Sequence, residues 1–211
     1  MAAPRSRERS RLPWSRRRLR AAVLWLWILI GVLVLLVLLA VYGYNRLVRL
    51  RNEVDTGWAN IDVQLQRRTD LIPNLVEAVR GYAAHERAVF DEVTRARTAV
   101  QQAQSPGTAA DANDILTAAI GRLFAVAEAY PDLKASENFL QLQEDLTDTE
   151  DKISAARRYY NATVMHYNTA IQSLPWLLLA KPLGFDEREF FSAHGDTAVP
   201  EVAFSGGAPA S

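Results

Sequence analysis

The hydrophobic positions between residues 54 and 100 follow a helical repeat. Alternate steps of four and three residues from Val54 to Val100 meet an apolar or aromatic side chain at twelve of fourteen positions. No strand has this period, so the pattern predicts one continuous helix, roughly 70 Å long at a rise of about 1.5 Å per residue. The two exceptions are Arg68 and Glu86. Such a helix needs partner helices to cover its apolar side.

Two further helical patterns can supply those partners. Residues 104–114 are rich in helix breakers and capping residues, which is typical of a loop, and apolar positions at helical spacing then follow over residues 116–130. Pro131 stops this second helix. A third pattern covers residues 136–174 and ends at Pro175. The sequence therefore predicts an all-α fold.

Pro73 lies inside the first pattern, in the stretch "QRRTDLIPNL". A proline within a helix removes the hydrogen bond to the carbonyl four residues earlier, which belongs to Thr69, at a cost of about 3 kcal/mol. Two interpretations are open: a kinked but continuous helix, or a turn in which Asp70 caps a new helix. The apolar repeat keeps its phase across Pro73, which favours the kink. We therefore expect residues 45–191 to form an antiparallel up-and-down bundle of three to four long helices.

Residues 21–44 are 24 consecutive residues without a charge. A helix of that length covers roughly 36 Å, enough to cross a hydrocarbon core of about 30 Å. A cleavable signal peptide is the alternative, but the run is longer than a usual signal and lacks a convincing cleavage site. The sequence predicts a single N-terminal transmembrane helix.

The charge distribution predicts an orientation for this helix. Residues 1–20 carry eight arginines and one glutamate, so this segment has a charge of +7 although the whole chain has a formal net charge of zero. The positive-inside rule then places the N-terminus in the cytoplasm and the bundle outside it, although Arg46, Arg49 and Arg51 oppose this assignment. The N-terminal arginines should also attract anionic lipid head groups.

Several kinds of chemistry lack their residues. The chain has no cysteine, and its three histidines lie in three separate segments. We found no phosphate-binding glycine loop, nucleophile elbow or zinc-protease motif, and the acidic bundle disfavours nucleic acid. A cluster at Glu144, Asp148 and Asp151 is more typical of a solvated acidic face than of a cation site. We expect no enzyme activity, cofactor or metal.

The polar exceptions in the apolar repeat define a candidate site near the proline. A buried charge needs a partner, and the acidic run "EDLTDTED" over residues 144–151 could supply one for Arg68. The charges would then fix the register of the helices. Alternatively, they would form a polar ligand site beside the proline. The candidate residues are Arg67, Arg68, Asp70, Pro73 and Glu86.

The segment "LPWLLLAKPLGF", residues 174–185, is apolar but too short to span a bilayer. It could dock back onto the bundle, or it could form an exposed patch for a partner or a membrane surface. The candidate patch residues are Trp176, Leu177, Leu178 and Leu179. Residues 192–211 have the composition of a disordered tail.

Three motifs resemble the LemA family of bacterial membrane-anchored proteins: "RRTDLIPNLV", "NFLQLQEDLTDTED", and "RRYYN" followed by "YN". The resemblance covers about residues 44–191. It implies one N-terminal span, a bundle of long helices and a location in the bacterial inner membrane, and it supplies no catalytic residues. We therefore expect a non-enzymatic scaffold of the cell envelope that binds an envelope protein. A sensor or ligand-binding bundle is the alternative, and self-association is also open.

Overall fold

The structure is a computed structural model that describes the backbone of residues 14–192 and the side chains of residues 23–192. Every regular element in that range is helical, which confirms the all-α prediction. The elements are α1 (Trp14–Arg80), α2 (Arg87–Gln102), α3 (Pro106–Ala127), α4 (Pro131–Lys134), α5 (Glu137–Gln172), α6 (Leu177–Ala180) and a 3-10 turn (Lys181–Leu183). The arginine side chains of residues 1–20 and the predicted tail beyond Ser192 lie outside the described residues.

The chain divides into two units, residues 1–46 and residues 47–211. The first unit contains the uncharged run, whose side chains from Val23 to Tyr42 are all exposed. A window of this helix reaches a mean hydropathy of 3.1 with none of it buried. An exposed apolar surface of this extent is costly in water, so the helix is suited to lipid contact. The predicted membrane anchor is supported by this feature.

The second unit has its own hydrophobic core, which begins at Leu47 and ends at Phe191. Helix α1 contributes residues at the predicted repeat, including the buried Ile61, Leu65 and Leu75. The helix runs without interruption through Pro73, as the preserved phase predicts. The alternative, a turn at this proline, is wrong.

The prediction that the same helix continues to Val100 is also wrong. Helix α1 ends at Arg80, and residues 81–86 form turns before α2 begins. Gly81 follows the last helical residue, and both Tyr82 and Glu86 are exposed although they fall on the apolar repeat. The repeat keeps its phase because α2 buries Val93 and its neighbours in the same core.

The predicted loop over residues 104–114 is mostly helix. Ser105 caps α3 through a reciprocal pair of hydrogen bonds with Thr108, and Pro106 occupies the first turn, where its missing N–H costs nothing. The small residues that follow, such as Ala109 and Ala110, are buried at the start of the helix. Small side chains allow close packing against the core. The composition of the whole segment had instead predicted a loop.

Helices α1 and α5 lie against each other in opposite directions. Asp55 pairs with Arg188 beyond the end of α5, whereas Arg68, further along α1, contacts Glu150 in the first half of α5. Helices α2 and α3 pair through Glu92 and Arg122. These contacts join α1 to α5 and α2 to α3.

Candidate functional site

Arg68 is a buried cation that joins three helices. Its side chain is almost fully enclosed, with 3% of the residue exposed. One terminal nitrogen, Nη1, donates to Oδ1 of Asn113 on α3 at 2.6 Å and lies 2.6 Å from Oε2 of Glu150 on α5. A guanidinium buried without a counter-ion would cost several kcal/mol, so the hydrogen bond to Asn113 and the charge of Glu150 make the position tolerable. The acidic run therefore supplies the partner for Arg68.

A second arginine compensates for the proline. Because Pro73 has no N–H, the carbonyl oxygen of Thr69 loses its helical donor. Arg97 on α2 donates from Nε to this oxygen at 2.8 Å. The hydroxyl of Thr69 donates in turn to the carbonyl of Gln66 at 2.9 Å. The break in the α1 hydrogen-bond pattern is thus an attachment point for α2.

The other predicted site residues lie at the surface. Arg67 is exposed and approaches Asp148 at 3.7 Å, and Asp70 accepts a hydrogen bond from Gln66 at 2.8 Å. Pro73 itself is exposed. Glu86 lies at the start of α2 with an exposed side chain, separated from Arg68 by the rest of α1 and a turn. Glu86 therefore does not belong to a site around Arg68, because its place in the apolar repeat falls outside a helix.

Asn113 and Arg97 are site residues that the sequence analysis missed. Asn113 lies 45 positions from Arg68 in a segment that resembles a loop. Arg97 directly follows Ala96 of the apolar repeat and is not itself a position of that repeat. A clue to Arg97 was the freed carbonyl of Thr69, which requires a donor from elsewhere.

The electrostatics and the space around Arg68 favour a structural role. Burial lowers the pKa of the Arg68 guanidinium below its ordinary value, and the charges of Glu150 and Asp114 offset only part of this shift. Among the described residues, Nε of Arg68 is buried without a hydrogen-bond partner. The cleft beside Thr69 has a volume of about 60 Å³. A small-molecule site usually has about 300–1,000 Å³, so this cleft is well below the usual size of such a site.

A second polar arrangement fixes the segment that follows α6. Tyr160 and Tyr167 each donate a hydroxyl hydrogen bond, to the carbonyls of Glu189 at 2.7 Å and Asp186 at 2.9 Å. Each is followed by an asparagine whose side-chain amide both donates to and accepts from one backbone unit. These asparagines are Asn161, which binds Phe191, and Asn168, which binds Arg188.

The repeated "YN" motif thus has a structural explanation. Its two copies are seven residues apart, which puts them on one face of α5, where they bind an extended segment, residues 186–191. We name this segment the strap. Phe191 at its end is buried and lies against Trp58 of α1, with ring centroids 6.4 Å apart. The strap therefore contacts both α1 and α5.

The strap should loosen at alkaline pH. Burial raises the pKa of the Tyr160 phenol to about 12, above its ordinary value of 10.0. The folded state therefore prefers the protonated phenol, and this contribution is complete below about pH 10 and is lost as the pH rises toward 12. We expect the urea midpoint of the native chain to fall between about pH 10 and pH 12, and to fall less in Tyr160→Phe.

Tyr159→Phe is the matched control for this experiment. The neighbouring Tyr159 is 50% exposed, so removal of its hydroxyl should leave the pH dependence of the native chain unchanged. Equal pH slopes for Tyr160→Phe and the native chain would contradict the assignment. Circular dichroism of the full chain in one detergent provides the measurement.

The apolar segment after α5 is only partly docked. Trp176 is half-buried against the core, and Ala180 and Phe185 are fully buried. Leu177, Leu178 and Leu179 are exposed. One part of this segment is therefore docked onto the core, and the other part is exposed.

Comparison with known proteins gives matches over most of the chain. The sequence model of the LemA family matches residues 57–204. Magnetosome protein MamQ of Magnetospirillum gryphiswaldense is 28% identical over 184 residues, which cover 74% of this chain and 68% of the relative. Magnetosome protein MamQ 1 of Paramagnetospirillum magneticum is 29% identical with the same coverage. Protein LemA of Metamycoplasma hominis is 27% identical over 153 residues, which cover 71% of this chain and 68% of the relative.

Proposed function

Because the chain belongs to the LemA family, we propose that it is a membrane-tethered, non-enzymatic interaction module of the bacterial cell envelope. One N-terminal helix would anchor it, and the four long helices would form an up-and-down bundle that presents its surface to envelope proteins. The exposed apolar run of the first unit supports the anchor. The likeness to the LemA and MamQ proteins supports a membrane-associated, non-enzymatic protein.

The main support for the proposal is that the buried polar groups bond one helix to another. Arg68 is engaged by Asn113 and Glu150, and Arg97 is engaged by the carbonyl of Thr69. These bonds connect helices, and the cleft that Thr69 lines nearby is smaller than an ordinary ligand site. The polar site therefore supports a rigid bundle better than a sensor with a ligand pocket at Pro73.

The orientation is part of the proposal. The arginine-rich residues 1–20 would lie in the cytoplasm against anionic lipid head groups, and the bundle would lie outside the cytoplasm, on the inner membrane. A chain without cysteine allows a direct test. Ile115 on α3 is exposed, so Ile115→Cys provides a unique thiol for a membrane-impermeant reagent applied to intact cells. Labelling before lysis is expected, and labelling only after lysis would place the bundle in the cytoplasm.

The same thiol can test the scaffold role. The reagent would carry a photo-crosslinker, and proteins captured from intact cells would be identified by mass spectrometry. Single cysteines are placed at three exposed sites on different helices, Val63, Ile115 and Leu140. We expect one envelope protein to be captured repeatedly from one of these sites and not from the other two. The native, cysteine-free chain gives the background. Capture that never exceeds this background at any site would contradict a scaffold role.

A further inference from the structure

Five exposed leucines lie close together in the sequence after α5. We name them the leucine patch: Leu174, Leu177, Leu178, Leu179 and Leu183. Two of them, Leu174 and Leu178, are more than 70% exposed. Within residues 173–185 the only charged side chain is Lys181. A contiguous group of exposed apolar side chains marks a surface that contacts another molecule. Single exposed leucines, in contrast, are common on any protein surface.

The leucine patch is held outward by the bundle. Ala180 and Phe185 are buried beside it, and the N–H of Phe185 donates to the carbonyl of Ala180 at 3.0 Å. The strap that follows is fixed by Tyr167 and Asn168. Because both the turn and the strap are attached to the core, the leucines cannot all turn inward without breaking these contacts.

The patch lies at the end of the second unit that contains the first residues of that unit. Arg51 near the start of the second unit and Gly184 next to the patch line the same small cleft with Tyr167. Helix α5 continues past Tyr167 to Gln172 in the direction opposite to α1, toward that same end. Only seven positions separate Arg51 from Tyr44, the last residue of the uncharged run, and a chain that short reaches at most roughly 25 Å.

We propose that the leucine patch inserts into the lipid–water interface of the membrane that holds the anchor. Apolar side chains beside a single lysine suit this interface, since leucines enter the acyl boundary and the cation meets anionic head groups. The bundle then has two attachments to the bilayer, one spanning and one at the surface. This inference rests on the anchor of the proposed function but not on the scaffold role.

Depth-dependent quenching in vesicles tests the insertion. The full chain with Leu178→Cys is labelled with an environment-sensitive fluorophore and reconstituted into vesicles of phosphatidylcholine and phosphatidylglycerol, with or without nitroxide-bearing lipid. Val63→Cys is the matched control, because Val63 is also an apolar residue, 61% exposed, and lies twelve positions beyond Arg51 on α1. We expect a blue-shifted emission at residue 178 and a several-fold greater loss of fluorescence to nitroxide lipid than at residue 63.

Three other outcomes would overturn the proposal. Equal quenching at residues 178 and 63 would show that the patch remains in water. A blue shift at residue 178 that ignores the nitroxide lipid and grows with the protein-to-lipid ratio would show that a second copy covers the patch. Failure of the chain to float with the vesicles would overturn the anchor as well, which separates that failure from the first two. Leu174→Cys, on the other side of Trp176, repeats the measurement where labelling at residue 178 perturbs the turn.

Discussion

Replacement of Arg68 with alanine is expected to lower the free energy of unfolding by about 3 kcal/mol. The substitution removes the donor to Asn113 and the counter-ion of Glu150, and it leaves a cavity where α1, α3 and α5 meet. Loss of one partner of a fully buried ion pair costs about 3–5 kcal/mol, and the lower end applies because Glu150 is partly exposed. Urea unfolding of the full chain in one detergent, followed by circular dichroism, gives this value.

The neighbouring arginine supplies the control. Arg67 is exposed and pairs loosely with Asp148, so Arg67→Ala should change the free energy of unfolding by less than about 1 kcal/mol. Arg68→Met fills most of the volume but still leaves Asn113 without its donor, so it should fall between the two alanine variants. If Arg68→Ala were no more destabilising than Arg67→Ala, the contacts of Arg68 would not stabilise the packing of α1, α3 and α5.

The apolar repeat predicted the helical content well but misplaced a helix end. A repeat of four and three residues shows which side chains share a core. It does not show whether those side chains belong to one helix or to two consecutive helices. The repeat therefore continued through Tyr82 and Glu86, although both are exposed in a turn. Gly81 was the local signal for that turn.

The candidate site was predicted in one half only. Burial of Arg68 and the freed carbonyl of Thr69 follow from the repeat and from the chemistry of proline, which are local properties. The acidic run over residues 144–151 was predicted as a source of the partner for Arg68, and Glu150 lies in it. The partners Asn113 and Arg97 follow from the way in which the helices pack, which a single sequence does not reveal. Asn113 could not be predicted for this reason, since its segment has a composition typical of loops and its helix depends on the cap at Ser105.

The "YN" repeat shows the same limit. The seven-residue spacing of its copies is compatible with one face of a helix, but their hydrogen-bond partners are backbone groups of the strap. Backbone groups carry no residue identity, so the sequence of residues 186–191 did not indicate the contact. The strap was predictable only as part of the bundle.

Replacement of Gly57 with leucine is expected to cost about 3 kcal/mol or more of unfolding free energy. Gly57 lies on α1 where α5 comes close, and an added Cβ there would lie 3.3 Å from Cα of Tyr160 and 3.4 Å from Oγ1 of Thr163. The nearest atom belongs to the backbone of a helix and cannot rotate away, so the three further carbons of leucine must separate the helices. The separation would also pull Tyr160 from the carbonyl of Glu189 and release the strap. Urea unfolding in one detergent measures the loss.

Gly121 offers the same substitution without the contact. It lies inside α3 with no atom within 4 Å of an added Cβ, so Gly121→Leu should stabilise the chain by up to about 1 kcal/mol through helix propensity alone. Gly57→Ala gains a similar propensity but meets the 3.3 Å contact, so we expect a change within about 1 kcal/mol of zero. Equal effects of leucine at residues 57 and 121 would contradict the close approach of α1 and α5. A large loss at residue 57 alone would instead show that this glycine sets the distance at which the Tyr160–Asn161 pair can reach the strap.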